Sequence, residues 1–517
     1  MRIALSLTFL CVVQLLSAQY KGDDFWFAFV PQPEDEADSE LSLIIGCDEE
    51  TVIDISAPHL LWDTTLTVDA NSIEAFVFPN DLLLDEYDGA SVSMNGIHVN
   101  SSAPISLQTG SSYSYNAGSV NLFPSSLNGQ HYIHEKWNGA AIGSESTLLM
   151  VANEDDTQVS VLQTDGFNNE EQIFFLEEGQ VGYVHLEYQE YDWFEVDANH
   201  PISVYSVASC VQLPVGCGAC DLVAYQNRPN QLSGLEFIVT MPLGSSSTGY
   251  SVQATQDDTF VQIGDQFFVL QQGESYSETT EESTLVICSD QPIQVKQHYS
   301  GTTCAGFGDP ESFFLPDMTI GFSEATFVIE EQVDYDDQHA IHVLASTDHL
   351  DEIFLNGQPI DNNEFSATEN PDYSYAELPV PPGSYSITSS EPFQAWSYWM
   401  DFAISFQSYP GRYTLSEGIG CTDPLACNFN PTASIDIGNC EYAAPFADCN
   451  GNCLFDLDLD GNCEGTLGDF LEDGQVNIED LLEMLNFFGC TEPQCPGDLN
   501  QDGITNVQDL IAFLTLL

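Results

Sequence analysis

The sequence predicts a mainly β protein: about four repeated β-sandwich-like units, then a disulfide-rich linker and a small α-helical module. Three observations predict it. From Lys21 to about Ser416, short runs rich in Val, Ile, Phe and Tyr alternate with Gly, Asn, Asp and Ser clusters, the signature of strands and turns. Two sequence markers recur through that region with a period near one hundred residues. After it, cysteines cluster and the pattern changes to helical spacing.

The first marker is an apolar strand, an acidic turn and a second alternating strand. It reads LIIGCDEETVIDI from Leu43, LMVANEDDTQVSV from Leu149, VQATQDDTFVQI from Val252 and, more loosely, HVLASTDHLDEIFL from His342. Aligned on Gly46, Ala152, Ala254 and Ala345, the copies lie 106, 102 and 91 residues apart. Asp suits such tips because it tolerates the left-handed region and bonds its own backbone. The second marker is a polar step, a proline and a strand: APISLQTGSSY, HPISVYSVASC, QPIQVKQHYSG and EPFQAWSYWMD. Pro104, Pro201, Pro292 and Pro392 are 97, 91 and 100 residues apart, and each is expected at the first residue of a strand, where no ladder donor is lost. The expected units are residues 20–110, 111–210, 211–302 and 303–416. Pattern alone leaves open whether they are beads on a string or share sheets around a ring. The segment after the second proline holds Cys210, Cys217 and Cys220, and the one after the fourth holds Trp396, Tyr398, Trp399 and Phe402. Those rings pack in a core or between units, or else form a ligand surface on loops.

Charge excludes several partners. The chain carries 81 Asp and Glu against 6 Lys and Arg, a formal net charge of −75. A chain so poor in cations cannot neutralise phosphates, so nucleic acid is excluded. Anionic membranes and acidic polysaccharides are disfavoured unless divalent cations bridge them. Disorder is opposed by 43% hydrophobic and 11% aromatic residues, enough to bury large cores. The charge implies a saline or calcium-bearing environment.

Residues 1–19 read as a secretory signal. Arg2 opens it, Ile3 to Leu16 is mostly apolar, and Ser17-Ala18 precedes the expected cut before Gln19. No later stretch is long and apolar enough to span a bilayer, so the expected location is extracellular, secreted or attached to the cell surface. Of 15 cysteines, Cys11 leaves with the signal; the even remainder in an exported chain is expected to form disulfides.

GDDFWFAF at Gly22, NHPISVYSVASC at Asn199, CGACDLVAYQNRP at Cys217 and SGLEFIVTMP at Ser233 resemble the IgG Fc-binding protein N-terminal domain family. The resemblance covers most of Gly22 to Ser416, and implies a secreted or surface-bound binding protein. It defines no site residues.

Residues 417–465 form the cysteine-rich linker. GCTDPLACNFNPTASIDIGNCEY from Gly420 is similar to a short cysteine motif common near the C-termini of exported marine Bacteroidetes proteins. Cys421, Cys427, Cys440, Cys449, Cys453 and Cys463 read as disulfides, with zinc ligation the competing reading. Asp456, Asp458 and Asp460 before Gly461 have the spacing of a calcium loop, or of a simple acidic turn.

Residues 466–517 hold two loop–helix repeats. Asp498, Asn500, Asp502, Ile504 and Asp509 fall at positions 1, 3, 5, 7 and 12 of a calcium loop, with Gly503 at the sharp turn. Asp469, Asp473, Gln475 and Asp480 repeat it 29 residues earlier, and Leu471 replaces a ligand at position 3. Ile478, Leu481, Leu482, Leu485 and Phe488 match Val507, Leu510, Ile511, Leu514 and Leu517, each row an apolar helix face. The pair resembles a type I dockerin, which implies calcium as cofactor and docking through the module. Ile478-Glu479 and Val507-Gln508 replace the Ser-Thr pair common in cohesin-binding dockerins.

No catalytic residues are assigned: the sequence has no HExxH, nucleophile elbow or phosphate-cradling glycine loop. His131 and His134, like His339 and His342, are three apart on expected strands and point to opposite faces. The predicted function is binding or adhesion toward an extracellular glycan or protein, through loops on the β repeats. The alternative is a polysaccharide-active hydrolase with a dockerin-like tail.

Overall fold

The computed structural model describes residues 21–415 except 30–39, 80–91, 114–115, 136–145, 165–168, 186–192, 215, 218–220, 307, 330–337, 402–403, 409 and 411. Beyond them it describes 426, 481–482, 484–488 and 505–514. The chain divides into two compact units at Ile419/Gly420.

The first body is mainly β and contains four antiparallel sheets of one topology. Each is built on a long strand: Ile97–Tyr113, Trp193–Val211, Thr284–Tyr299 and Gly383–Asp401. All four repeated prolines lie inside these long strands rather than at strand starts, which corrects the sequence reading. Ahead of each proline the pairing slips. Gly22 pairs Ile105 but Asp24 pairs Asn100; Asp197 pairs His131 but Ile202 pairs Gly129. Gly234 pairs Ile293 but Glu236 pairs Cys288; Phe322 pairs Phe393 but Glu324 pairs Thr388. The proline therefore sits in a bulge, where a missing N–H costs nothing and the strand bends from one half of the sheet into the other.

The polar residue two places before the proline has a task in three units. Ser102 Oγ accepts from Val52 N at 2.9 Å, Asn199 Oδ1 from Gln158 N at 2.7 Å and Asp290 Oδ1 from Phe260 N at 2.8 Å. Each bond satisfies a hairpin N–H that the bulge would leave unpaired. The acidic tips also form as expected: Asp156 and Asp258 have φ of 56° and 55°. Buried Thr51, Thr157 and Thr259 close the tips by donating to the carbonyls of Glu49, Glu154 and Gln256.

The sheets close on one another. Each strand belongs to the unit whose sheet it pairs in, so the first three units run past the expected ends at 110, 210 and 302. Strand Asn116–Leu122 of the first unit packs against Asp221–Gln226 of the second and Ile404–Ser408 of the fourth. Glu311–Phe314 of the third touches both of those strands, so the four return strands make a closed cycle. Cores are shared across the joints. One joins Phe25, Ile45 and Val99 to Leu149, Tyr205 and Leu222; another joins Phe237, Val252 and Val295 to Trp396, Tyr398 and Met400. Trp396 and Tyr398 are thus inter-unit core rather than loop surface.

In the second body, Val507–Leu514 forms an α-helix and Leu485–Phe487 a 3-10 turn. Met484 and Phe513, fully buried, occupy equivalent repeat positions. Leu482, Leu485, Phe488 and Val507 are exposed, although the helical spacing placed them on the packed face. In the first repeat the tightening to three residues per turn after Met484 rotates Leu485 and Phe488 away from the buried side.

Candidate functional site

The principal polar constellation among the described residues lies where the second and third units meet. Strand Gly129–Glu135 carries Glu135, whose Oε1 is 2.5 Å from Nζ of Lys296 on the third unit's long strand. Ser251 Oγ donates to the same Glu135 oxygen, and Lys296 Nζ donates to Tyr225 Oη at 3.0 Å. The ammonium also faces the rings of Tyr225 and Phe314, 5.0 and 5.6 Å from their centroids. Arg228 caps the other side, with Nη1 donating to Leu315 O at 2.8 Å and its guanidinium over the Phe314 ring.

Electrostatics lock this cluster into one protonation state. Burial alone would raise the Glu135 carboxyl, but Lys296 and the converging hydrogen bonds outweigh it and hold it at about 2. Burial opposes the Lys296 charge in turn, and Glu135 and Tyr225 restore it above the ordinary value. His134 and His298, buried beside the ammonium, are kept neutral, His298 down to about 3. His298 Nδ1 is 2.9 Å from Ser312 Oγ.

A cavity of about 30 Å³ adjoins the cluster at the meeting of the first three return strands. Ser119, Asn121, Gln226, Arg228 and Glu311 supply its polar lining. That space has room for one or two waters. Glu311 is buried, its Oε1 accepts from Ser312 N at 2.9 Å and its Oε2 has no hydrogen-bond partner among the described residues. Burial drives its carboxyl well above the usual range, against the Ser312 bond, and burial raises nearby Asp309 to about 7.

Covalent closure lies at the same joint. Cys217 and Cys304, each following a long strand, form a disulfide between the second and third units, and Cys210 is disulfide-bonded as well. Cys47 and Cys288 are free thiols, contrary to the expectation of full pairing. Each stands within a strand of its own sheet, Cys47 in the first unit and Cys288 in the third.

The histidine pairs behave as strand geometry requires. His131 is exposed and 2.5 Å from Asp197, whereas His134 is buried on the opposite face. His342 pairs with Glu377 at 2.7 Å and stacks on Trp396; His339 is buried across the sheet. Among the described residues no group of three or more potential ligands surrounds a metal position. The backbone of Asp509 lies in helix Val507–Leu514. Asp456, Asp458, Asp460, Asp469, Asp473, Gln475, Asp480, Asp498, Asn500, Asp502 and Ile504 lie outside the described residues, as do the linker cysteines.

Sequence reading missed Glu135, Lys296 and Glu311. Rarity was the available signal: with 6 cations in 517 residues, Lys296 stands in a repeated proline strand and Arg228 in the CGACDLVAYQNRP segment. Lys21, Arg228 and Lys296 are all buried, so these cations join units or strands instead of decorating the surface.

No helix among the described residues is long and apolar enough to cross a membrane. No curated protein matches the chain. The family described as IgGFc binding protein matches residues 117–398, more than half of the chain and nearly all of the second, third and fourth units. The chain therefore belongs to the IgG Fc-binding protein family.

Proposed function

We propose that the chain is a secreted or cell-surface binding protein that holds an extracellular protein ligand on its four-sheet body without turning it over. The family match over residues 117–398 carries this reading, because it covers the joints that make the body rigid. Supporting it, the buried charges Glu135 and Lys296 tie the second sheet to the third, and His342 with Glu377 ties neighbouring strands within the fourth. A rigid scaffold with few exposed cations suits presentation of a fixed surface to a partner. The C-terminal repeats add a calcium-dependent module that docks or rigidifies the tail.

The test presents the secreted full-length chain to arrays of proteins, with the Fc region of immunoglobulin G first, and of glycans. Product release is followed on every hit. Saturable binding of a protein with no product supports the reading. Reproducible cleavage abolished by a single Asp or Glu substitution overturns it.

A further inference from the structure

The edge hairpins of the second and third units share an arrangement that the cores and joints leave unused. In the second unit, edge strand Asn169–Leu176 pairs on one side with Thr157–Thr164, and among the described residues no strand pairs its other side. In the third, Gln266–Leu270 pairs Thr259–Ile263 and is likewise the last strand of its sheet. Such an edge presents unpaired N–H and C=O groups to any extended chain of matching length.

Each edge also exposes an apolar pair at i, i+2, hence on one face. Ile173 and Phe175 are 52% and 74% exposed; Phe267 and Val269 are both 58% exposed. Phe260 lies opposite Val269 and stacks on Phe267 at 5.6 Å, extending the third unit's patch across two strands. Single exposed apolar residues need no explanation, but the same pair on equivalent edge strands of two repeats does.

Charge selects the occupant. Residues 153–178 contain eight Asp or Glu and no Lys, Arg or His. Residues 255–274 contain Asp257, Asp258, Asp265 and Glu274, again with no cation. A second copy of a chain of net charge −75 is repelled from such an edge. We infer that these two edges are docking strips for an extended protein segment alternating apolar with Lys or Arg side chains. The segment adds as a strand to the open edge, its apolar side chains cover Phe267 and Val269 or Ile173 and Phe175, and its cations meet the flanking carboxylates. This inference rests on the binding reading above and names the partner class.

The probe is a short peptide alternating valine with lysine, titrated by fluorescence anisotropy into the full-length chain. A serine–lysine peptide of equal charge, a valine–glutamate peptide and a proline-interrupted valine–lysine peptide serve as comparisons. The expected result is binding about tenfold tighter for valine–lysine than for each comparison, a gain lost in a protein carrying Phe267→Ser, Val269→Ser, Ile173→Ser and Phe175→Ser. These side chains are exposed, and an unchanged melting temperature of the variant verifies its fold. Equal affinity for the serine–lysine peptide, equal binding of the proline-interrupted peptide, or a gain that survives in the variant overturns the docking strips. An array ligand held equally by wild type and variant removes these strips while leaving the binding reading intact; ligand turnover removes the binding reading itself.

Discussion

Lys296 Nζ lies 2.5 Å from Glu135 Oε1, and this buried contact joins the second sheet to the third. Both side chains are out of water, so the attraction is set against a desolvation cost of several kcal/mol per ion. Removing one partner leaves the other charge buried and uncompensated. Lys296→Met is therefore expected to destabilise the body by about 3–5 kcal/mol, and Lys296→Met with Glu135→Met by clearly less. Chemical denaturation of the two variants measures the difference. Additive losses would show that the two charges do not act as a pair.

The same joint gives stability an opposing pH dependence at its two ends. Glu135 is depressed to about 2, so its contribution is complete above the ordinary carboxylate value and is lost as pH falls through about 2. Asp309 is raised to about 7, so its contribution is complete below 3.8 and is lost as pH rises through about 7. Glu311, raised well above its ordinary value, acts in the same sense as Asp309. Thermal melts of Asp309→Asn should show a shallower decline between about pH 4 and pH 7 than wild type, and adding Glu311→Gln should flatten it further. An unchanged slope in both variants would refute the assignment.

The disulfide between Cys217 and Cys304 spans a separation of 87 residues. In the loop-closure account, a crosslink of that span stabilises by about 4–5 kcal/mol, an upper figure where the reduced chain keeps structure. Cys217→Ser and reducing agent should lower the melting temperature by similar amounts if this bridge dominates. Thiol titration of the native protein should leave buried Cys47 silent and label the part-exposed Cys288 slowly. Rapid labelling of Cys47 would contradict its burial in strand Glu40–Cys47.

What was legible in the sequence is what local chemistry repeats. The acidic tips were found because Asp156 and Asp258 must supply left-handed backbone, and the hundred-residue period because every unit needs the same proline. The proline's place was misread because strand starts and mid-strand bulges both tolerate a missing N–H. Which of the two occurs depends on the partner strand, and Gly22, paired with Ile105, lies far from Pro104 in sequence. The Glu135–Lys296 pair was invisible for the same reason, being a contact between units. The closed cycle of return strands follows from packing between repeats that no single repeat encodes.

Glycine at those bulges is a further requirement of packing that composition hides. A Cβ on Gly129 would stand 2.4 Å from Pro229 Cβ, and one on Gly22 would stand 2.3 Å from Pro124 Cβ. Neither proline ring can retreat without moving backbone. Gly129→Ala is expected to cost about 1–3 kcal/mol through overpacking. Gly118→Ala, whose Cβ would meet the Leu222 side chain at 3.2 Å, should cost less because that side chain can turn. Urea midpoints of the two variants, compared at equal slope, test the ranking; equal costs would show that the proline contact yields.

The C-terminal repeats supply the last prediction. Met484 and Phe513 are buried and stand 29 residues apart, the spacing of the two acidic loops in the sequence. The loops differ in one ligand: Asn500 stands at position 3 of the second, and Leu471 takes that place in the first. An apolar side chain provides no oxygen, so the first loop should bind calcium more weakly. Under the calcium reading proposed above, dissociation constants of about 10⁻⁴–10⁻³ M are expected, and calcium at a hundredfold excess over that constant would stabilise the folded module by about 2.7 kcal/mol. Calorimetric titration of the full-length chain should therefore lose more heat in Asp502→Ala than in Asp473→Ala. Wild type and variants share the remaining carboxylates, so the difference between variants isolates the loops. Equal losses would contradict the weaker first loop, and no loss in either variant would remove calcium from the module.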